Sequence, residues 1–202
     1  MEVAEILASM PGFEAEIRPD MDAWLKTHVA LLMPSLAPAM RAAGRDNVRM
    51  ARTRDLVVLA VRAIREGFDV LRSLGIPVTP DSIGRLERVP EPLLVWFLQR
   101  RFAHPLMRVA MLEHAQAAQD EIEHLAGEFM ALARQAAVPT PNIDRLSPYF
   151  DPETPPMPEG SSEIPLDWRG IWLGLAGLAG ILALLLFLRN ALRRSGKPRP
   201  GM

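Results

Sequence analysis

The sequence predicts a mainly α-helical domain followed by one transmembrane helix near the C-terminus. Three observations carry this. Val57, Val61, Ile64, Phe68 and Leu71 recur at steps of four and three, the period of one buried helix face. Ile122, Leu125, Phe129 and Leu132 repeat the pattern later. Residues 171–188, IWLGLAGLAGILALLLFL, hold no charge, and hydrocarbon about 30 Å thick takes roughly 17–25 helical residues to cross.

In chain order, the opening MEVAEILASMPG is acidic with a short apolar run, unlike a secretory signal. GFEAEIR then gives the only strand-like alternation, through Phe13, Ala15 and Ile17. The next helix carries Trp24, Leu25, His28 and Leu32 as its expected apolar stripe. Lys26 falls off that stripe, in a row with Ala30 and Pro34 at i, i+4 and i+8, and on periodicity alone reads as a surface lysine. One long helix is expected from about Asn47 to Leu74, stopped by Gly75, Pro77 and Pro80. Short helices fit at 81–88 and 91–103, and a second long helix from Leu106 to Ala137.

Residues 151–165, DPETPPMPEGSSEIP, are rich in Pro, Glu and Ser. With little apolar surface to offset ordering entropy, they read as an extended linker. Trp168 and Trp172 stand at one edge of the apolar run, where amphipathic rings favour the headgroup level. Arg189, Arg193, Arg194, Lys197 and Arg199 crowd the other. The expected organisation is a leading segment 1–18, a helical domain 19–150, a linker 151–167, a span 168–190 and a basic tail 191–202. Gly170/Gly174, Ala176/Gly180 and Ala179/Ala183 have the spacing that lets two membrane helices approach, so a homodimer through the span is one possibility.

Composition and motifs exclude several classes. The net charge is −1, so no basic excess draws the chain to nucleic acid. Cysteine is absent, which rules out disulfides, thiolate nucleophiles and Cys-ligated zinc. No GxGxxG or GxxxxGK stands outside the apolar run, and no GxSxG occurs. Glu121 and His124 have the Glu-x-x-His spacing, but a di-iron bundle needs two such pairs, so no metal is expected. Arg41, Arg45, Arg49, Arg52 and Arg54 cluster without an interleaved aromatic. They read as a charged outer face, with anionic ligands or lipid headgroups as the alternative.

Two segments resemble the C-terminal helical domain of ketopantoate reductase. GFEAEIRPDMDAWLKTHVALLMPSLAPA, 12–39, is similar to the stretch joining that family's two domains and entering the helix of its catalytic lysine, with Trp24 and Lys26 in the matching positions. DEIEHLAGEFMALARQAAVPTPNIDRL, 120–146, is similar to its Thr-Glu-Ile-Asp signature and the turn beyond. Glu121, Gly127, Val138, Pro141 and Leu146 fill the places. The resemblance implies an NADPH-dependent reductase of 2-oxo acids, in which Lys26 protonates the ketone oxygen and Glu121 helps to hold lysine and substrate. A developing alkoxide needs such a nearby proton-donating cation.

The departures bear on substrate and cofactor. The family's two substrate-binding asparagines are Ala30 and Pro34 here, and its serine and aspartate before the glutamate are Val109 and Glu113. A site without those polar groups loses the specificity they confer, which argues against ketopantoate itself. The family's Rossmann domain would precede residue 1, and Met1 falls inside what resembles that domain's last helix. No bound cofactor is therefore expected on this chain, and no turnover by it alone. The expectation is a membrane-anchored substrate half, completed by a Rossmann domain or partner chain. The alternative is a tail-anchored interaction module without catalysis. The basic tail favours a cytoplasmic C-terminus. A cytosolic cofactor, with no export signal, favours the domain on the cytoplasmic face instead.

Overall fold

In the computed structural model, residues 2–12, 14, 16–107 and 119–195 are described. The fold class is as the sequence predicts, mainly α. Among the described residues there is no strand; Phe13 and Ala15, two of the three residues of the expected alternation, lie outside them.

Helix α1 is Glu2–Ala8, and α2 is Met21–Leu31. A π-helical turn at Leu32–Leu36 carries the chain past Pro34 into α3, Ala37–Ala42. Next come α4, Asn47–Arg52, and α5, Arg54–Ser73. A short α6, Asp81–Gly84, runs into a 3-10 turn at Arg85–Arg88. It is followed by α7, Glu91–Phe102, α8, Gln119–Ala136, α9, Pro141–Leu146, and a 3-10 turn at Ser147–Phe150. The last helix, α10, is Arg169–Ser195.

Helix α5 is the axis of the domain. Val57, Val61, Ile64, Phe68 and Leu71 are all buried, as their spacing predicts, and so are Leu56, Val58 and Leu59 on the remaining faces. Neighbours surround it: α2 and α9 pack on it, with α7 and α8 contributing Val95, Phe102 and Phe129 to the same core. Glu66 ties α9 down by accepting the amides of Asn142 and Ile143, at 3.0 and 2.9 Å. Those are free N–H groups of a helix start, where a carboxylate also meets the positive end of the dipole.

The single helix expected from Asn47 to Leu74 is two helices. Thr53 leaves helical geometry, at φ −94° and ψ 88°. Its hydroxyl donates to the Arg49 carbonyl and accepts the Gly160 amide. The break frees the first turn of α5 for a partner more than 100 residues away, which no local periodicity could reveal.

Helix α2 also differs from expectation. Its buried face is Ala23, Thr27 and Ala30, while Leu25 and Leu32 of the expected stripe are 52% and 37% exposed. Small residues are buried because α2 crosses α5 closely. A Cβ on Gly67 would stand 2.8 Å from the Ala30 carbonyl oxygen, a backbone atom. Gly67→Ala should lower stability by about 1–2 kcal/mol in a urea titration, overpacking outweighing the gain in helix propensity of up to about 1 kcal/mol. Gly127→Ala, with nothing within 4 Å of the new methyl, should show that gain alone. A stabilised Gly67→Ala would refute the close crossing.

Residues 151–167 are extended, but they are a strap laid on the domain rather than a free linker. Met157 donates its amide to Ala42. The Asp55 carboxylate, 4% exposed, accepts the amides of Glu163 and Ile164, both at 2.9 Å. The strap carbonyls are met by arginines: Arg49 reaches Met157, Arg54 reaches Ser162 and Ile164, and Arg62 reaches Pro165. Met157, Ile164 and Leu166 pack on the core. The expectation of too little apolar surface missed that remote side chains satisfy the strap's own backbone. Of the five clustered arginines, Arg45 and Arg52 stand on the exposed face as expected, whereas Arg49 and Arg54 are clamps and Arg41 binds the Phe150 carbonyl and Glu123.

Candidate functional site

Lys26 lies in the middle of α2, on the edge between its buried and exposed faces. Its ammonium contacts Asp22 Oδ2 at 2.7 Å, one helical turn earlier, and both side chains face solvent, at 37% and 80% exposure. This i, i+4 pair was readable from the sequence, because that spacing brings side chains together on one face. It adds only a few tenths of a kcal/mol where solvent screens it. Ala30 and Pro34, next along the row from Lys26, are buried. They pack toward α5 and neither lines an open surface beside Lys26.

The start of α2 is fixed. Arg18 forks onto Asp20 at 2.9 and 3.2 Å, and Thr79 donates to the same carboxylate at 2.6 Å. Those bonds hold the Asp20 pKa below its ordinary value. The Thr79 amide in turn donates to Thr27 Oγ1 at 3.1 Å. The helix bearing Lys26 is thus tied to the segment after α5 from both sides. On the same helix, His28 Nδ1 bonds the Trp24 carbonyl at 2.8 Å, which accounts for a histidine beside an apolar run.

Glu121 stands exposed in the first turn of α8, a helix that touches α2. The fold therefore brings the two helices together, while the ion pair of Lys26 is with Asp22. Val109, Glu113 and His114 lie outside the described residues. His124 is 3.4 Å from Glu128, both exposed, and among the described residues no group of three or more candidate ligands gathers as at a metal site. A cavity between Arg72, Glu87 and Arg88 contains neither Lys26 nor Glu121, and Arg72 is already paired with Glu87 at 2.7 Å.

A second polar centre, missed from the sequence, lies where the strap meets α10. Glu91, in the first turn of α7, has a side chain 2% exposed. It accepts two bonds from Arg62, at 2.9 and 2.8 Å, and the Asp167 amide at 2.9 Å, with Arg65 3.8 Å away. Burial pushes its carboxyl up, but those bonds and the two arginine charges outweigh it and hold the pKa below the ordinary value. Asp167 is lowered to about 2, chiefly by the Arg169 guanidinium. The only local hint was an acidic residue just after a proline at a helix start.

An all-helical domain built round α5, with a lysine-bearing helix crossing it closely and a separate apolar helix behind, is the class the fold defines. Residues 20–148 match the family described as ketopantoate reductase PanE/ApbA C terminal, and the chain belongs to that family. No curated protein and no solved structure matches the chain. The helix Arg169–Leu188 is long and apolar enough to cross a membrane, with none of it buried in the protein.

Proposed function

We propose that this chain is the membrane-anchored substrate half of a reductase acting on a 2-oxo acid or ketone, completed by a separate Rossmann domain. The observation that carries the reading is the place of Lys26, at the edge of the exposed face of α2. Met21 and Leu25 of the same helix are 42% and 52% exposed, and Val3, Ile6, Leu7 and Met10 in and after α1 are uncovered as well. Exposed apolar side chains on each of these helices suit burial against another domain.

In this reading Lys26 gives its proton to the carbonyl oxygen as negative charge develops there, and Glu121 positions lysine and substrate. The residues of this chain do not fit NADPH, since no glycine-rich pyrophosphate loop is present. In this reading the completing Rossmann domain holds the reductant. Ala30 and Pro34 offer no side-chain hydrogen bond beside Lys26, which favours an oxo compound with few polar groups. Helix α10 anchors the domain, on the cytoplasmic face. Protease added to sealed right-side-out vesicles should cut the domain only after permeabilisation; cutting before it would reverse the orientation. Reduction of 2-oxo acids by native membranes tests the catalytic reading, through the Lys26 substitution argued below.

The buried Ala30 and Pro34 also favour a second reading, an anchored interaction module in which the pocket chemistry has been replaced by packing. NADPH-dependent reduction by the purified complex would count directly against it.

A further inference from the structure

Helix α7 is apolar on two sides. Leu94, Val95 and Phe102 enter the core. Leu93, Trp96 and Phe97, at i, i+3 and i+4, form a second ridge facing outward, 50%, 55% and 54% exposed. Arg100 continues that ridge and stacks on Trp96, 4.6 Å from the ring centroid.

This ridge stands at the mouth of α10. Gly170, the second residue of α10, lies against Pro90, the residue before α7; a Cβ added there would come within 3.3 Å of Pro90 Cβ. The approach is fixed, because Glu91 holds the Asp167 amide and Arg62 holds the Pro165 carbonyl. At 1.5 Å rise per residue, Leu93 is about 5 Å and Phe97 about 10 Å from Pro90 along the axis of α7. Trp168 and Trp172, 50% and 66% exposed, flank the same entry point.

Resting on the reading of α10 as a span, we propose that the Leu93–Trp96–Phe97 ridge lies in the lipid surface that α10 enters. With Trp168 and Trp172 it makes one interfacial belt. The occupant is the headgroup and upper acyl zone of that leaflet, and the argument is continuity. A chain that enters the bilayer at Arg169 carries Pro90 to its surface, and an α7 lying flat there places all three side chains in the interface. Aromatic rings with one wet edge favour that depth. Arg100 and Arg101, both exposed at the far end of the helix, extend to anionic headgroups while their stems stay over apolar surface. The strap then has a purpose: it sets the angle at which the domain meets the membrane.

The test uses the full chain in vesicles of phosphatidylcholine and phosphatidylglycerol brominated in the upper acyl chain. Two variants each keep one tryptophan, Trp96 or Trp172, the other three being changed to Phe. The expected result is a loss of Trp96 emission comparable with that of Trp172. Quenching of Trp172 with Trp96 unquenched overturns the lipid ridge and leaves the span standing. This holds equally if Trp96 is shielded from water by a second copy or a partner. Quenching of neither overturns the span, and the ridge with it. Labelling of the unaltered chain by a lipid-borne photoactivated carbene gives the same reading should the replacements not fold. Adducts on the 91–102 peptide support the ridge, and adducts confined to α10 overturn it.

Discussion

Replacing Glu91 by alanine should lower the stability of the domain by about 3 kcal/mol and release the strap. The Glu91 side chain is 2% exposed and serves Arg62 and the Asp167 amide together. Removing it leaves two arginines without their acid and one backbone N–H without an acceptor. Breaking a buried pair costs about 3–5 kcal/mol; Arg62 and Arg65 are about a quarter exposed, so water offsets part of it. Glu91→Gln keeps the shape and one acceptor oxygen and should lose less. A urea titration of the full chain in micelles reads the loss, and limited proteolysis between residues 158 and 165 reads the strap. A variant within 0.5 kcal/mol of wild type, with the strap still protected, would remove Glu91 from this role.

The same carboxylate predicts a pH dependence. Its folded pKa lies below the ordinary 4.5, so the unfolded chain takes up the proton first as pH falls. Its stabilisation is complete above about 4.5 and is lost progressively below that, as pH falls through the folded value. The melting temperature of wild type should therefore drop more steeply in that acid range than that of Glu91→Gln. Parallel curves would show that Glu91 contributes nothing to the acid transition.

How far the fold was legible depended on where each cause lay along the chain. The stripe from Val57 to Leu71 was legible because a central helix surrounded by others is buried through large apolar side chains at its own period. Helix α2 was misread because its burial is through Ala23, Thr27 and Ala30 at a close crossing over Gly67. Hydrophobicity scales give such small residues little weight. The break at Thr53 and the binding of the strap share one long-range cause. Asp55, Thr53, Arg49 and Arg54 satisfy backbone groups about 108 residues later, and a local window cannot see that distance. At the site, the i, i+4 spacing of Asp22 and Lys26 carried a local signal for their pairing that the periodicity reading passed over, whereas the meeting of α2 with α8 required the fold.

Lys26→Ala should reduce the NADPH-dependent reduction of 2-oxo acids by native membranes about 10²–10⁴-fold, the range for losing one positioned proton donor. The side chain is more than a third exposed and its pair with Asp22 is solvated. Its removal should therefore leave the melt within about 0.5 kcal/mol of wild type, which separates a chemical loss from a folding one. Lys26→Arg keeps the positive charge but holds its proton too tightly to give it up at neutral pH. It should therefore recover substrate binding more than turnover, seen as a smaller change in KM than in kcat. Asp22→Asn frees the ammonium and should leave activity largely intact. Glu121→Gln should act chiefly on KM, since in the proposed reading that residue positions lysine and substrate. If Lys26→Ala left the membrane activity unchanged, the lysine would be only half of a surface ion pair. The exposed face of α2 would then be a docking surface without chemistry.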